Sequence, residues 1–330
     1  MQILGVANSY ASAPVNAPTS LSAVPSLTSV AISFTAPTND GGATITNYEY
    51  NINGGSFIAF SPADATSPVT ISGLSQGTSY TITLKAVNIV GAGPASDGVA
   101  FTTLLPAPTS VEYLVIGGGG GGSGGDFYTY QGAGGAAGAR RQSTSFSVSS
   151  GTALTVTVGA GGTQTGTVTA NSGALSRFSS VTAAGGGGGS GRTGGSNGDF
   201  SGGTNNSGIN AGGGAGSGGS GSGSNGGAST TSSINGTSTA RAGGGYGVGG
   251  TAGGGGTSGG NSAAAANSGA GGNGREYYAQ TNHGGSGIVI IAYPTSFAAA
   301  VATTGSPSVS TVSRGGYRVY TFTGSGSITF

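Results

Sequence analysis

The chain has 330 residues, of which 75 are glycine, 9 are Lys or Arg and 8 are Asp or Glu, giving a net charge of +1. The absence of Cys excludes disulfides and thiolate metal sites, and the single imidazole, His283, excludes multi-histidine centres. Near-neutral charge gives no electrostatic footprint for nucleic acid, and no apolar run approaches the ~20 residues of a membrane span, so neither nucleic acid nor membrane insertion is expected.

The N-terminal segment, residues 1–13, lacks the basic and apolar regions of a secretory signal, so none is expected. Residues 14–104 consist of short alternating runs separated by turn signals, the pattern of a β-sandwich. SVAISF (29–34) places Val30, Ile32 and Phe34 on one face, and ITNYEYNI (45–52) alternates again. VTISGL (69–74) leads into GTSYTITLKAVN (77–88), with Tyr80, Ile82, Leu84 and Ala86 on a common face. These residues resemble the fibronectin type III family. The run from Leu74 through Gly77-Thr78 to Tyr80 is similar to that family's tyrosine corner, in which the phenol bonds upstream backbone. The family's usual strand-B Trp is absent, and Phe34 stands in for it. The resemblance implies a spacer or interaction module without catalysis.

Residues 105–110 read as a linker. The glycine-rich module spans 111–294, and 60 of the glycines fall in 111–287. It opens with an apolar strand, Val111–Ile116, that runs into Gly117–Gly122, and closes with Gly284-Gly-Ser-Gly287 running into Ile288–Pro294. Between them, 145–162 alternates as two strands, and Ala174–Phe178 with Ser180–Ala183 forms a short pair. Glycine–serine tracts are commonly flexible linkers, and each ordered Gly costs about 0.5–1 kcal/mol more than Ala. Matched apolar strands at both ends argue against a linker. The ordered alternative is a lattice of antiparallel polyproline-II-type passes, three residues per turn, where positions facing a neighbour must be Gly. Inter-pass amide bonds, about 0.5–1.5 kcal/mol each, would offset the entropy. VEYLVIGGGGGG (111–122), TVTVGAGG (155–162) and GGSGIVIIAYP (284–294) resemble the glycine-rich domain of bacteriophage tail-fibre adhesins. That resemblance implies packed polyglycine II helices whose connecting loops touch a host receptor. The expected fold class is therefore all-β: an immunoglobulin-like sandwich followed by short strands and polyglycine II passes.

Glycine passes offer no side chains, so recognition falls to the inserts between them. The candidate receptor-binding residues are Phe127, Tyr128, Tyr130, Phe200, Tyr246, Tyr277, Tyr278 and His283, because aromatic rings give large contact area at low entropy cost. The alternative is that these rings cap the ends of the passes. Catalysis is not expected. Beyond the opening strand the acids of this section are Asp126, Asp199 and Glu276, a poor basis for the paired carboxylates of a glycosidase. A GxGxxG match at 221–226 lacks its strand–helix context. No cofactor is expected. The C-terminal segment, 295–330, reads as a strand pair, Gly316–Phe322 and Gly324–Phe330. It either caps the module's own sheet or donates an edge to a neighbour, giving a homo-oligomer through the C-terminal strands. The expected function is a virion structural protein, made in the host cytoplasm. It would act as a tail-fibre adhesin whose partners are other virion proteins and a host-surface glycan or outer-membrane protein. A non-adhesive capsid decoration protein is the alternative. An ice-binding protein would need a flat Thr/Ala face that these irregular inserts do not supply.

Overall fold

The computed structural model describes residues 10–125, 131–164, 168–204, 211–253, 263–275 and 282–330. The chain divides into two compact units, 1–106 and 107–330.

The first unit has β1 (Thr19–Pro25), β2 (Ser29–Thr35), β3 (Asn47–Ile52), β4 (Ile58–Ala59), β5 (Val69–Ser72), β6 (Ser79–Val87), β7 (Ala92–Ala95) and β8 (Val99–Thr102). One sheet has the order β1-β2-β5; the other runs β4-β3-β6-β7, with β8 also on β6. The alternation read from the sequence sets the core: Val30, Ile32, Phe34, Tyr48, Ile71, Ile82 and Leu84 are buried between the sheets. Phe34 meets Tyr48 edge-on at 4.5 Å between ring centroids, which fills the space expected for the missing Trp. The Tyr80 hydroxyl accepts the Ser75 N–H at 2.9 Å, so the tyrosine corner is present.

The second unit contains a β-sandwich. Its strands are β9 (Ser110–Ile116), β10 (Arg140–Ser147), β11 (Ala153–Thr157), β12 (Ser176–Phe178), β13 (Val181–Ala183), β14 (Thr230–Ser232), β15 (Thr239–Arg241), β16 (Ile288–Pro294), β17 (Ala302–Thr304), β18 (Ser308–Ser310), β19 (Tyr317–Phe322) and β20 (Gly326–Thr329). One five-stranded sheet is ordered β10-β9-β16-β19-β18 and the other β13-β12-β11-β20-β17. The apolar opening and closing strands are direct antiparallel neighbours, with Val115 opposite Val289. Alternate residues of β16 face two cores. Val289, Ile291 and Tyr293 pack between the sheets, while Ile288, Ile290 and Ala292 pack beneath Ile234 and Ala242. The β14–β15 hairpin thus covers the outer face, and burial on both faces explains an unbroken apolar run. A bidentate ion pair, Arg314 to Glu112 at 2.6 and 3.0 Å, pins the chain before β19 to β9.

Two details differ from the sequence reading. The segments within 145–162 do form strands, but β10 and β11 lie in different sheets. The C-terminal strands do not pair with each other: β19 lies between β16 and β18, and β20 between β11 and β17. Both are interior strands of this unit, because their alternating apolar residues complete the core with Tyr320, Phe322, Ile328 and Phe330.

The adjacent strands β10, β9 and β16 continue directly into glycine runs. Along the run after β9, the N–H groups of Gly117, Gly120 and Ser123 donate to the carbonyls of Ala139, Ala136 and Ala133. Those of Gly118 and Gly121 donate to Ala174 and Asn171, and those of Gly119 and Gly122 to Gly285 and Asn282. Each neighbouring run is therefore met at every third residue. Further runs repeat the rule with either polarity. Gly134 and Ala137 donate to Gly212 and Ala215, a parallel pairing, as do Gly271 and Gly274 to Gly243 and Tyr246. The expectation of purely antiparallel passes is corrected, since an outward amide is satisfied by a neighbour running in either direction. Packing is tight enough that a β-carbon at Gly119 would lie 1.9 Å from the Ala270 carbonyl oxygen. Alanine is nevertheless admitted at buried positions such as Ala133, Ala136 and Ala137, so the glycine requirement is specific to position.

Candidate functional site

The register of the runs gives the bundle two ends. Residues 117, 139 and 287 adjoin the sandwich, and residues 123, 132 and 282 mark the opposite, distal end. Arg275 joins this end through its N–H to the Ser123 carbonyl (3.2 Å) and its carbonyl to the Gly132 N–H (2.8 Å). Tyr246 joins it through its carbonyl, which accepts the Gly274 N–H at 2.7 Å.

The distal end is built on buried polar side chains. Ser123, Asn273, Arg275 and Asn282 are all buried there. Ser123 Oγ accepts the Ala133 N–H at 2.8 Å. Asn282 Nδ2 donates to the Asn273 carbonyl at 2.5 Å, and Asn273 Oδ1 accepts the Tyr246 N–H at 3.3 Å. Asn282 also receives the Gly122 N–H on its own carbonyl. Three runs are thus tied by amide side chains where their glycine lattice ends. Burial holds the Arg275 guanidinium below its ordinary value, partly opposed by the nearby Tyr246, and it stays protonated at neutral pH.

Of the residues expected from the sequence, Tyr246 and His283 lie at the distal end, both half-buried. The His283 carbonyl accepts the Ala264 N–H at 3.0 Å. Phe127, Tyr128, Tyr130, Tyr277 and Tyr278 lie outside the described residues, but the chain on either side of each insert is held at this end. Phe200 is elsewhere. It follows Asp199, whose carboxylate pairs with Arg141 of β10 at 2.7 Å, so Phe200 belongs to the sandwich end. Asn197 Oδ1 fixes that turn by accepting the N–H groups of Asp199 and Phe200. Sequence reasoning missed Ser123 and Asn273. Their signal is that they interrupt glycine runs with a polar group too short to reach far from the backbone. Among the described residues no group of three or more His, Cys, Asp or Glu could hold a metal ion.

A sequence profile described as a glycine-rich domain matches residues 94–294. The chain belongs to that family. In front of the glycine-rich domain, a fibronectin type III domain profile matches residues 16–102. Solved structures align with 27–30% of this chain. A structure of titin domains A168–A170 is 24% identical over 27% of this chain and 32% of that one, with a TM-score of 0.25. One of titin kinase with its flanking domains is 26% identical over 28% and 18%, also at 0.25. The sixth fibronectin type III domain of human fibronectin type III domain containing protein 3 is 26% identical over 30% of this chain and 96% of that one, at 0.25. The chain thus spans a third or less of the length of the two titin structures. Comparison with curated proteins gives no match.

Proposed function

We propose that the runs of the glycine-rich domain are polyglycine II helices, and that the chain is a bacteriophage virion structural protein acting as a tail-fibre adhesin. In this reading the fibronectin type III domain is a spacer toward other virion proteins. The distal inserts of the glycine-rich domain bind a host-surface glycan or outer-membrane protein. The observation that carries the reading is convergence at one end. The buried amides of Asn273 and Asn282 close the lattice where Tyr246, His283 and the chain flanking both Tyr-rich inserts emerge. The every-third-residue recurrence of inter-run bonds supports the helix type, since polyproline-II geometry has three residues per turn. A lattice bonded along its length fixes the residues that flank these inserts, Ser123, Gly132, Arg275 and Asn282, through backbone hydrogen bonds. Phe200, at the sandwich end, has no place in that surface.

The test replaces Tyr128, Tyr130, Tyr246, Tyr277 and Tyr278 by Ala in the full chain. The reading predicts an unchanged melting profile of the sandwich and loss of adsorption to host cells. Full adsorption by the folded variant contradicts it, and labelling that places the chain on the capsid rather than the tail points to the decoration role.

A further inference from the structure

The two sheets of the glycine-rich unit end in very different edges. On one side β10 and β13 lie against each other, and β10 carries Arg140 and Arg141. Arg141 is paired to Asp199, and Arg140 donates to the Thr231 carbonyl of the covering hairpin at 3.3 Å. Charge and cover of this kind are how natural edges avoid pairing. On the other side both sheets end in the strands that flank one turn, β17 and β18. No charged residue occurs from Pro294 to Ser313. All residues of β17 and the first two of β18 are exposed. Val309 is 53% exposed and Val312, just beyond the strand, 90%. Among the described residues, neither strand has backbone hydrogen bonds beyond its sheet partner, so a row of amides and carbonyls faces outward.

We infer that β18 is the pairing edge for a second copy of this chain, joined antiparallel about a two-fold axis at Val309. An open row of backbone groups takes only another extended strand. The sequence makes the strand self-complementary, because Ser308-Val309-Ser310 reads the same in both directions. Antiparallel pairing then sets Val309 against its own copy and each serine against the other, with no like charges opposed. The pairing extends the sheet β10-β9-β16-β19-β18 into its symmetry mate. It uses an edge, whereas the interior strands β19 and β20 already have partners on both sides. This inference is independent of what the distal inserts bind.

The chain has no cysteine, so Val309→Cys introduces a single thiol. Directly opposed residues of an antiparallel pair place Cα atoms ~4.5–5.5 Å apart, within disulfide reach. The expected result under mild oxidation is a covalent dimer forming at least about tenfold faster than with Val312→Cys or Val301→Cys, which lie off the axis. In sedimentation equilibrium, Val309→Lys should weaken the dimer about tenfold without changing the melting profile. An equimolar mixture of Val309→Lys and Val309→Asp chains should restore it. A monomeric wild-type chain, or Val309→Cys crosslinking no faster than Val312→Cys, overturns the inference.

Discussion

Gly120→Ala probes the lattice at its centre. Gly120 donates to the Ala136 carbonyl at 2.7 Å and accepts from the Gly272 N–H at 2.9 Å. A β-carbon here would lie 2.1 Å from the Gly187 oxygen and 2.4 Å from its carbonyl carbon. Ordinary carbon contacts are ~3.5–4.0 Å, so the neighbouring run must retreat by more than ~1 Å. The Gly187 oxygen also accepts the Ala136 N–H at 2.9 Å, so retreat strains a bond in a third run. Overpacking costs about 1–3 kcal/mol, and weakening two or three buried amide bonds adds a similar amount, giving about 2–6 kcal/mol. For a unit of this size each kcal/mol moves the melting temperature by about 2–4 °C, so the transition should fall by roughly 4–24 °C. The fibronectin type III transition, in the separate first unit, should not move. The control is Gly219→Ala, where a β-carbon meets nothing within 4 Å and φ is not left-handed. Calorimetry of both variants decides the matter. If Gly120→Ala melts no lower than Gly219→Ala, the close-packed account is wrong.

Other outcomes follow from single contacts. Tyr80→Phe leaves the Ser75 N–H to water and should cost about 0.5–1 kcal/mol, seen as a ~2–8 °C drop confined to the first transition. Glu112→Gln breaks the bidentate pair with Arg314, whose side chains are only 26% and 18% exposed, and should cost the second unit about 1 kcal/mol in urea titration. Burial, and then the hydrogen bond to Tyr320, push the Tyr293 phenol well above its ordinary value. The native state therefore holds this proton after the unfolded state has lost it. Its stabilisation is fully present below the unfolded value of about 10 and lost as pH rises beyond it. Tyr293→Phe should flatten the decline in urea midpoint above about pH 10, and an unaltered decline would show that the phenol does not drive it.

Much of this architecture is legible in the amino-acid sequence. The alternation of 29–34 and 77–88 carried the first sandwich because each strand buries one face. The run Val111–Ile116 and its partner Ile288–Pro294 were visible as apolar stretches meeting glycine. Their shared sheet explains both their composition and where the runs begin. The hairpin of β14 and β15 was hidden, since Thr230–Ser232 and Thr239–Arg241 are short polar strands, and only Ile234 in their turn and Ala242 just after them pack with Ile288, Ile290 and Ala292. The sheet assignment of 317–329 was also hidden, because pairing across long sequence separation leaves no local mark. At the site, Tyr246 and His283 stood out by residue type, whereas Ser123 and Asn273 act through backbone contacts that only the register of the runs discloses. Phe200 was grouped with them by composition and separated by topology.

Amide hydrogen exchange at Gly117–Gly122 tests the central claim most directly, because a flexible glycine tract and a bonded lattice differ there by orders of magnitude. Every one of these N–H groups donates to a neighbouring run. A cooperatively folded lattice predicts exchange slowed at least about a thousandfold relative to the free chain, comparable with the amides of Val289 and Ile291. Exchange at the free-chain rate across these glycines, with the β16 amides still protected, would contradict it.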